Sequence, residues 1–393
     1  MSRPVKPLVP FQSLRVLRAV SAEEQRQIGC VDTLREILQQ PATWRATAAH
    51  LTSPEVVAAL AASLDPKPSH IILTGSGSSV YVGECLAPVL QKAAGVPTRA
   101  IAAGTLLTQR EAVLPAGDGL MISIARSGDS PESMGVVDMV LAKAPGYRHL
   151  AITCNAQGQL ATRYVNEPRV RVILLDPVTN DRSLVMTSSF TNLTLAGSAL
   201  AGATGMAPAA DVADDLIERC GEDLAQWGAR DFDALVYLGS GALWGAARET
   251  SLKMMEMSAG HVRVMAETSL GLRHGPMAWL NRPSLLVSFL SGDAAVRAYE
   301  NDLLRELTRK NLGLQRIVVG EGIDAELVGS EGLAIDLPGF NALPAAQQAI
   351  VCVVVGQLLA LFRCLALGQQ PDAPSQGVLT RVVGAFDLHG ETV

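Results

Sequence analysis

Apolar and polar positions in this chain follow two alternating periods. Short apolar runs that stop on glycine or serine alternate with longer stretches whose apolar residues recur at helical spacing. Residues 71–74 form such a run, closed by Gly75-Ser76-Gly77-Ser78-Ser79, and a helix is predicted over 80–92. Residues 119–124 predict a second strand. The loop Ala125-Arg126-Ser127-Gly128-Asp129-Ser130 follows, with Pro131 at a favourable first helical position. Further strands are predicted at 149–153 and 170–175, and a helix at 185–203. Strands separated by helices predict parallel sheets assembled from βαβ units.

The pattern then restarts. A strand is predicted at 234–238, a turn at Gly239-Ser240-Gly241 and a helix over 243–259. Residues 285–290 read as a strand, after which Ser291-Gly292-Asp293 opens a helix as Ser127-Gly128-Asp129 does. A strand at 317–320 and a helix over 344–367 complete this half. Two strand–GSG–helix units, each followed by strand–SGD–helix, predict an internal duplication, with the acidic stretch 211–223 joining the halves. Ahead of both, 1–45 reads as a helical arm in which Asp32 caps 33–39 and Pro41 ends the helix. The tail from Pro371 reads as loop, followed by a short apolar run at 378–386.

Composition narrows the classes. The 393 residues suffice for two cores, and 48% apolar with 18% charged residues describes a packed globular enzyme. A net charge of −6 without any Lys/Arg-rich run argues against nucleic acid as a partner, while leaving room for a small anionic substrate. Cys30, Cys85, Cys154, Cys220, Cys352 and Cys364 form no C-x-x-C pair and read as buried thiols in a reducing compartment. The first residues lack a secretory pattern, and the apolar segment 343–368 is interrupted too early for a membrane span, so it predicts a buried helix. The expectation is a cytoplasmic protein with no membrane partner.

Within this frame, Gly75-Ser76-Gly77-Ser78-Ser79 stands out. Glycines allow a tight turn, the helix start offers free N–H groups, and three hydroxyls exceed what a capped turn needs, so a phosphate is the natural ligand. The spacing is not G-x-G-x-x-G, and no P-loop lysine follows. Ser127-Gly128-Asp129-Ser130 repeats the design at the next strand's carboxyl end, where ligands of parallel sheets sit. In the second half, Glu249, Lys253 and Glu256 are spaced i, i+4, i+7 among the core-type residues Leu252, Met254, Met255 and Met257. Such a stripe is either a surface ion pair or the lining of a site. His274 sits in Leu272-Arg273-His274-Gly275-Pro276, a loop setting suited to proton transfer. His50, His70, His149, His261 and His389 have no comparable surroundings. One half is thus equipped to grip phosphate and the other to move protons.

Taken in order, GSGSS, SGDS, MTSSFTNL (186–193), ARETSLKMMEMSAG and RHGP resemble the tandem sugar isomerase (SIS) proteins. The chain is most similar to the tagatose-6-phosphate ketose/aldose isomerase family, whose members also act as galactosamine-6-phosphate deaminases. The likeness covers most of the chain, including QQPATW at 39–44. It implies an α/β fold of two tandem SIS domains, each a flavodoxin-like parallel sheet flanked by helices. The implied division is an arm at 1–45, domains at 46–208 and 209–368, and a tail at 369–393. By likeness to the isomerase half of glucosamine-6-phosphate synthase, Ser76, Ser78, Ser79, Ser127 and Ser130 would bind the sugar phosphate. Glu256 would move a proton between C1 and C2, supported by Lys253 and Glu249, and His274 of the same or a neighbouring subunit would open the sugar ring. Gly77, Arg126, Thr187, Ser188 and Arg381 are further candidates for substrate contact.

Two departures from that relative matter. Ala125 stands where it has a phosphate-binding serine, and Arg381 falls at its Schiff-base lysine. A guanidinium stays protonated and does not form an imine readily, which argues against a covalent ring opening. No glutaminase segment precedes the arm, so the deaminating direction is expected. The reaction implied is galactosamine 6-phosphate to tagatose 6-phosphate and ammonia, with no metal or redox cofactor, in a homodimer or higher homo-oligomer. The rivals are ketose–aldose isomerisation without loss of nitrogen, glucosamine-6-phosphate deamination, and a sugar-phosphate sensor without turnover.

Overall fold

The computed structural model describes residues 12–202, 205, 207–280, 284–312, 315–375, 377–384 and 386–389. Residues 1–11, read above for a targeting signal, and residue 203, the expected end of a helix, lie outside the described residues. The chain divides into two compact units. The first comprises Ala42–Asp181, Met186–Ala207 and Thr380–Val393; the second comprises Met1–Pro41, Arg182–Val185 and Pro208–Leu379.

The first unit is built on five parallel strands, β1 (His70–Gly75), β2 (Thr98–Ala102), β3 (Gly119–Ala125), β4 (Arg148–Thr153) and β5 (Val170–Leu174), in the order β2-β1-β3-β4-β5. Every residue of β1 and β3 is buried, as expected of strands covered on both faces, so they read as unbroken apolar runs. Helices Ser78–Ala94 and Pro131–Lys143 follow the two Ser-rich loops. The helix expected over 185–203 is Ser188–Ser198, all of it buried, continued by a 3-10 turn at Ala199–Ala201.

In the second unit, β6 (Ala234–Leu238), β7 (Arg263–Glu267), β8 (Ser284–Phe289), β9 (Gln315–Gly320) and β10 (Leu333–Asp336) pair in the order β10-β9-β8-β6-β7, again all parallel. Counted from the other edge this is the topology of the first sheet, in agreement with the duplication read in the sequence. Helix Ala345–Ala366 is long and apolar enough to cross a membrane by length and composition, with a mean hydropathy of 2.3, yet 94% of that window is buried inside the protein. It packs against helix Ala242–Met257 and fills the core.

Several local expectations are corrected. The acidic stretch 211–223 is not a linker but the middle of a 23-residue helix, Ala207–Ala229. Its Ala213, Leu216, Ile217, Cys220 and Leu224 recur at helical spacing and are buried, which leaves the carboxylates on the opposite face. Asp32 lies inside the first turn of helix Val31–Leu38 and pairs with Arg35 at 2.6 Å. The cap comes from 340 residues away in sequence: the Asp372 carboxylate accepts from the Thr33 amide at 2.7 Å and the Asp32 amide at 3.3 Å. Helix Val31–Leu38 does stop ahead of Pro41, which also sits at the start of the next helix, Gln40–Leu51, where its missing N–H breaks no hydrogen bond. All six cysteines are buried free thiols, and burial pushes Cys30 and Cys154 up to about 12, which disfavours their thiolate forms.

Candidate active site

The first unit's site grows from the switch point of its sheet. β1 and β3 are neighbours, with Thr74 in register with Ser123, and both Ser-rich loops leave their carboxyl ends. In the turn after β1, Gly77 has φ 56° and ψ −129°, a conformation reserved for glycine, and a Cβ added there would meet nothing within 4 Å. Ser78 and Ser79 form the buried first turn of the following helix, while Ser76 is half-buried. The Ser79 amide donates to the Ser76 carbonyl at 3.1 Å, which folds the serines around the helix start.

The second loop is braced by its neighbours. Asp129 accepts from the Gln159 amide at 2.9 Å, and the Asn155 side chain donates to the Ser127 carbonyl at 2.9 Å. The Ser130 hydroxyl is paired with Ser133 at 2.7 Å, and both Ser127 and Ser130 keep partial exposure. Arg126 is largely buried and donates to the Arg381 carbonyl at 2.6 Å. Arg381 in turn donates to the Asp181 carbonyl at 2.6 Å and to the Asn180 side chain. Both guanidinium charges lie near enough to Cys154 to pull its pKa down, although burial outweighs them. They bring positive charge beside the Ser127–Ser130 loop.

Thr187 and Ser188 are fully buried. The Asp181 carboxylate accepts from the Thr187 amide at 2.7 Å, the Ser189 amide at 2.9 Å and the Ser189 hydroxyl at 2.5 Å. Asn192 and Thr191 are likewise bonded to Thr47, Thr43 and Trp44. The TSSFTN segment is therefore a tied-down helix start. Asp181, its organiser, carries no local sequence signal and was not singled out by the motifs.

In the second unit the turn after β6 repeats the backbone of the turn after β1, with Ala242 and Leu243 in place of Ser78 and Ser79. Gly241 has φ 59° and ψ −124°, and Leu243 and Trp244 amides donate to Ser240 and Gly241 carbonyls at 3.1 Å each, as Ser79 and Val80 do to Ser76 and Gly77. Helix Ala242–Met257 then carries the ionisable stripe inward. Glu249 and Lys253 are 0% and 1% exposed, which excludes the surface ion pair, and Glu256 reaches partial exposure at 22%. Lys253 Nζ lies 2.5 Å from Glu256 and 3.4 Å from Glu249. One buried ammonium thus links a wholly enclosed carboxylate to one that meets solvent. The expected apolar jacket is incomplete: Met254 and Met257 are buried, Leu252 is partly so, and Met255 is 49% exposed because it lies on the outer face.

His274 ends the 3-10 turn Gly271–Arg273 and is exposed. Its neighbour Arg273 is anchored to Glu306 at 2.7 Å, and Lys310, with Arg273 second, holds the Glu306 carboxyl down at about 2. The loop's position is thus fixed next to the histidine. Among the described residues, no three His, Cys, Asp or Glu side chains converge as a metal site would require.

Set beside known proteins, the chain matches no family model. Individual relatives are clear. A Streptomyces coelicolor protein provisionally named D-galactosamine-6-phosphate deaminase AgaS is 38% identical, over 91% of this chain and 95% of its own. The D-galactosamine-6-phosphate deaminase AgaS of a Shewanella species is 33% identical over 98% of both chains. Among solved structures, the tagatose-6-phosphate ketose/aldose isomerase from Escherichia coli superposes with a TM-score of 0.83 at 31% identity, covering 92% of this chain and 97% of that one. Full-length likeness at these identities, over a duplicated fold of the same kind, has one consequence: the chain belongs to the AgaS family of sugar-phosphate deaminases and isomerases.

Proposed function

We propose that this protein converts D-galactosamine 6-phosphate to tagatose 6-phosphate and ammonia. The observation that carries the reading is the Glu249–Lys253–Glu256 ladder, a costly arrangement whose outermost carboxylate alone meets solvent. Ser76, Ser78, Ser79, Ser127 and Ser130, with the backbone of Gly77, bind the phosphate; Arg126 and Arg381 supply positive charge, and Thr187 and Ser188 shape the loop from beneath. Glu256 takes the C2 proton of the open-chain amino sugar and returns it to C1. The C1 carbonyl becomes an alcohol, the C2 amine becomes an imine, and water hydrolyses that imine to the ketose and ammonia. Lys253 holds Glu256 in place and is itself balanced by Glu249. His274 assists ring opening by proton transfer.

The phosphate-binding domain of this reading is 46–208 and the proton-transfer domain 209–368, between the arm 1–45 and the tail 369–393. The enzyme works in the cytoplasm as a homodimer or higher homo-oligomer, without nucleic-acid or membrane partners. A second reading, ketose–aldose isomerisation without loss of nitrogen, is favoured by the name of the Escherichia coli structure. Ammonia and ketose are assayed on galactosamine 6-phosphate, glucosamine 6-phosphate and tagatose 6-phosphate. Ammonia with tagatose 6-phosphate from the first, at a higher kcat/KM than from the second, is expected. Aldose formation from tagatose 6-phosphate with no ammonia from either amino sugar overturns the deaminase reading in favour of the isomerase.

A further inference from the structure

The two units share one cradle design, and its second copy is already filled. In the second unit Gly241 of the Gly239-Ser240-Gly241 turn has the dihedrals of Gly77, and Ser291-Gly292-Asp293 after β8 stands where Ser127-Gly128-Asp129 stands after β3. Between those loops lies a carboxylate, that of Glu300 on helix Ala294–Arg309, only 1% exposed. Its Oε2 accepts from the Ser291 amide at 2.8 Å, and the Ser240 hydroxyl lies beside it, while Oε1 has no hydrogen-bond partner among the described residues. Arg297, one turn earlier on the same helix, adds positive charge next to it and donates to the Ser291 carbonyl at 3.4 Å. Burial raises the pKa of Glu300, and the Ser291 amide, the Ser240 hydroxyl and Arg297 each act against that rise.

Glu300 follows Ser291 by nine residues, and the residue nine after Ser127 is Val136, a core side chain packed with Ile72 and Met121. The first unit therefore offers the same amides and hydroxyls with no carboxylate of its own at the matching position. In the first unit Ser76, Ser127 and Ser130 are partly exposed and open to a ligand, whereas in the second the chain supplies its own buried carboxylate.

We propose that the Glu300 carboxylate is a built-in anion occupying the second unit's phosphate-type cradle, so that each chain takes a single phosphate ligand. The count of one rests on the function proposed above; the occupancy by Glu300 does not. Inorganic phosphate is titrated calorimetrically into the full chain, its Glu300→Ala variant and its Glu300→Gln variant, with thermal unfolding followed in parallel. Glu300→Ala is expected to bind one phosphate more than the unsubstituted chain and to gain more thermal stability from phosphate. Glu300→Gln, whose amide oxygen still accepts from Ser291, is expected to match the unsubstituted chain. Should Glu300→Ala fold only in phosphate, that rescue is itself the expected result. Equal stoichiometry and equal phosphate response for Glu300→Ala and the unsubstituted chain overturns the proposal. So does failure of phosphate to rescue it when Glu300→Gln folds. If the unsubstituted chain binds none and Glu300→Ala binds one, the plug stands and the phosphate role of Ser76 and its neighbours falls.

Discussion

Replacing Lys253 by methionine tests the ladder most directly, because the side chain keeps its approximate length and loses its charge. Lys253 and Glu249 are both enclosed, 3.4 Å apart on successive turns. At an effective dielectric of about 20, unit charges at that separation attract by about 5 kcal/mol. Removing one member of a buried pair leaves the desolvated partner behind, which typically costs ~3–5 kcal/mol. Lys253→Met is therefore expected to lower the stability of its unit by about 3–5 kcal/mol, and to lower Tm by roughly 6–20 °C for a unit of this size. Adding Glu249→Gln should recover about half or more of that loss, since no buried charge then remains to be solvated. Urea unfolding followed by tryptophan fluorescence reads the right unit, because Trp227, Trp244 and Trp279 lie in it and only Trp44 in the other. A loss under about 1 kcal/mol for Lys253→Met, or a double variant no more stable than the single one, refutes the account of Lys253 as the charge that holds Glu249 in the core.

Other expectations are independent of that pair. Glu256→Gln should reduce kcat by about 10²–10⁴-fold with folding unchanged by circular dichroism; full activity would remove Glu256 as the proton carrier. His149 is buried, and desolvation depresses its pKa to about 4 from 6.5. The folded state then refuses a proton that the unfolded state takes up, so stability present above pH 6.5 is lost as pH falls toward 4, by up to about 1.4 kcal/mol per pH unit. His149→Gln should flatten the acid limb of a stability–pH curve by that slope, and an unchanged curve would contradict it. A Cβ at position 75 would lie 2.5 Å from the Ser79 Cβ and 2.9 Å from the Ile124 carbonyl, so Gly75→Ala should cost ~1–3 kcal/mol and raise KM for the sugar phosphate. Asp372→Ala should cost ~1 kcal/mol through loss of the remote cap on helix Val31–Leu38, measured by chemical denaturation.

The sequence by itself determined the central strands, the paired glycine turns, the serine loops and the spacing of Glu249, Lys253 and Glu256. These are local signals: a strand covered on both faces reads as a continuous apolar run, and a turn that needs φ near 56° with ψ near −129° carries glycine. The edge strands β2, β7 and β10 were not legible because they are partly exposed, and Thr-Arg-Ala-Ile-Ala, Arg-Val-Met-Ala-Glu and Leu-Ala-Ile-Asp show no unbroken apolar run. Only the tertiary structure decided which way the ladder faces. Spacing alone permits a surface ion pair, and it is packing against helix Ala345–Ala366 that encloses Glu249 and Lys253. It likewise decided that Asp372 caps a helix near the other end of the chain, that Asp181 ties down Thr187 and Ser189, and that Glu300 fills the second cradle. Each of these pairs a polar side chain with a partner chosen by proximity after folding, and no residue within a helical turn of it in sequence announces that choice.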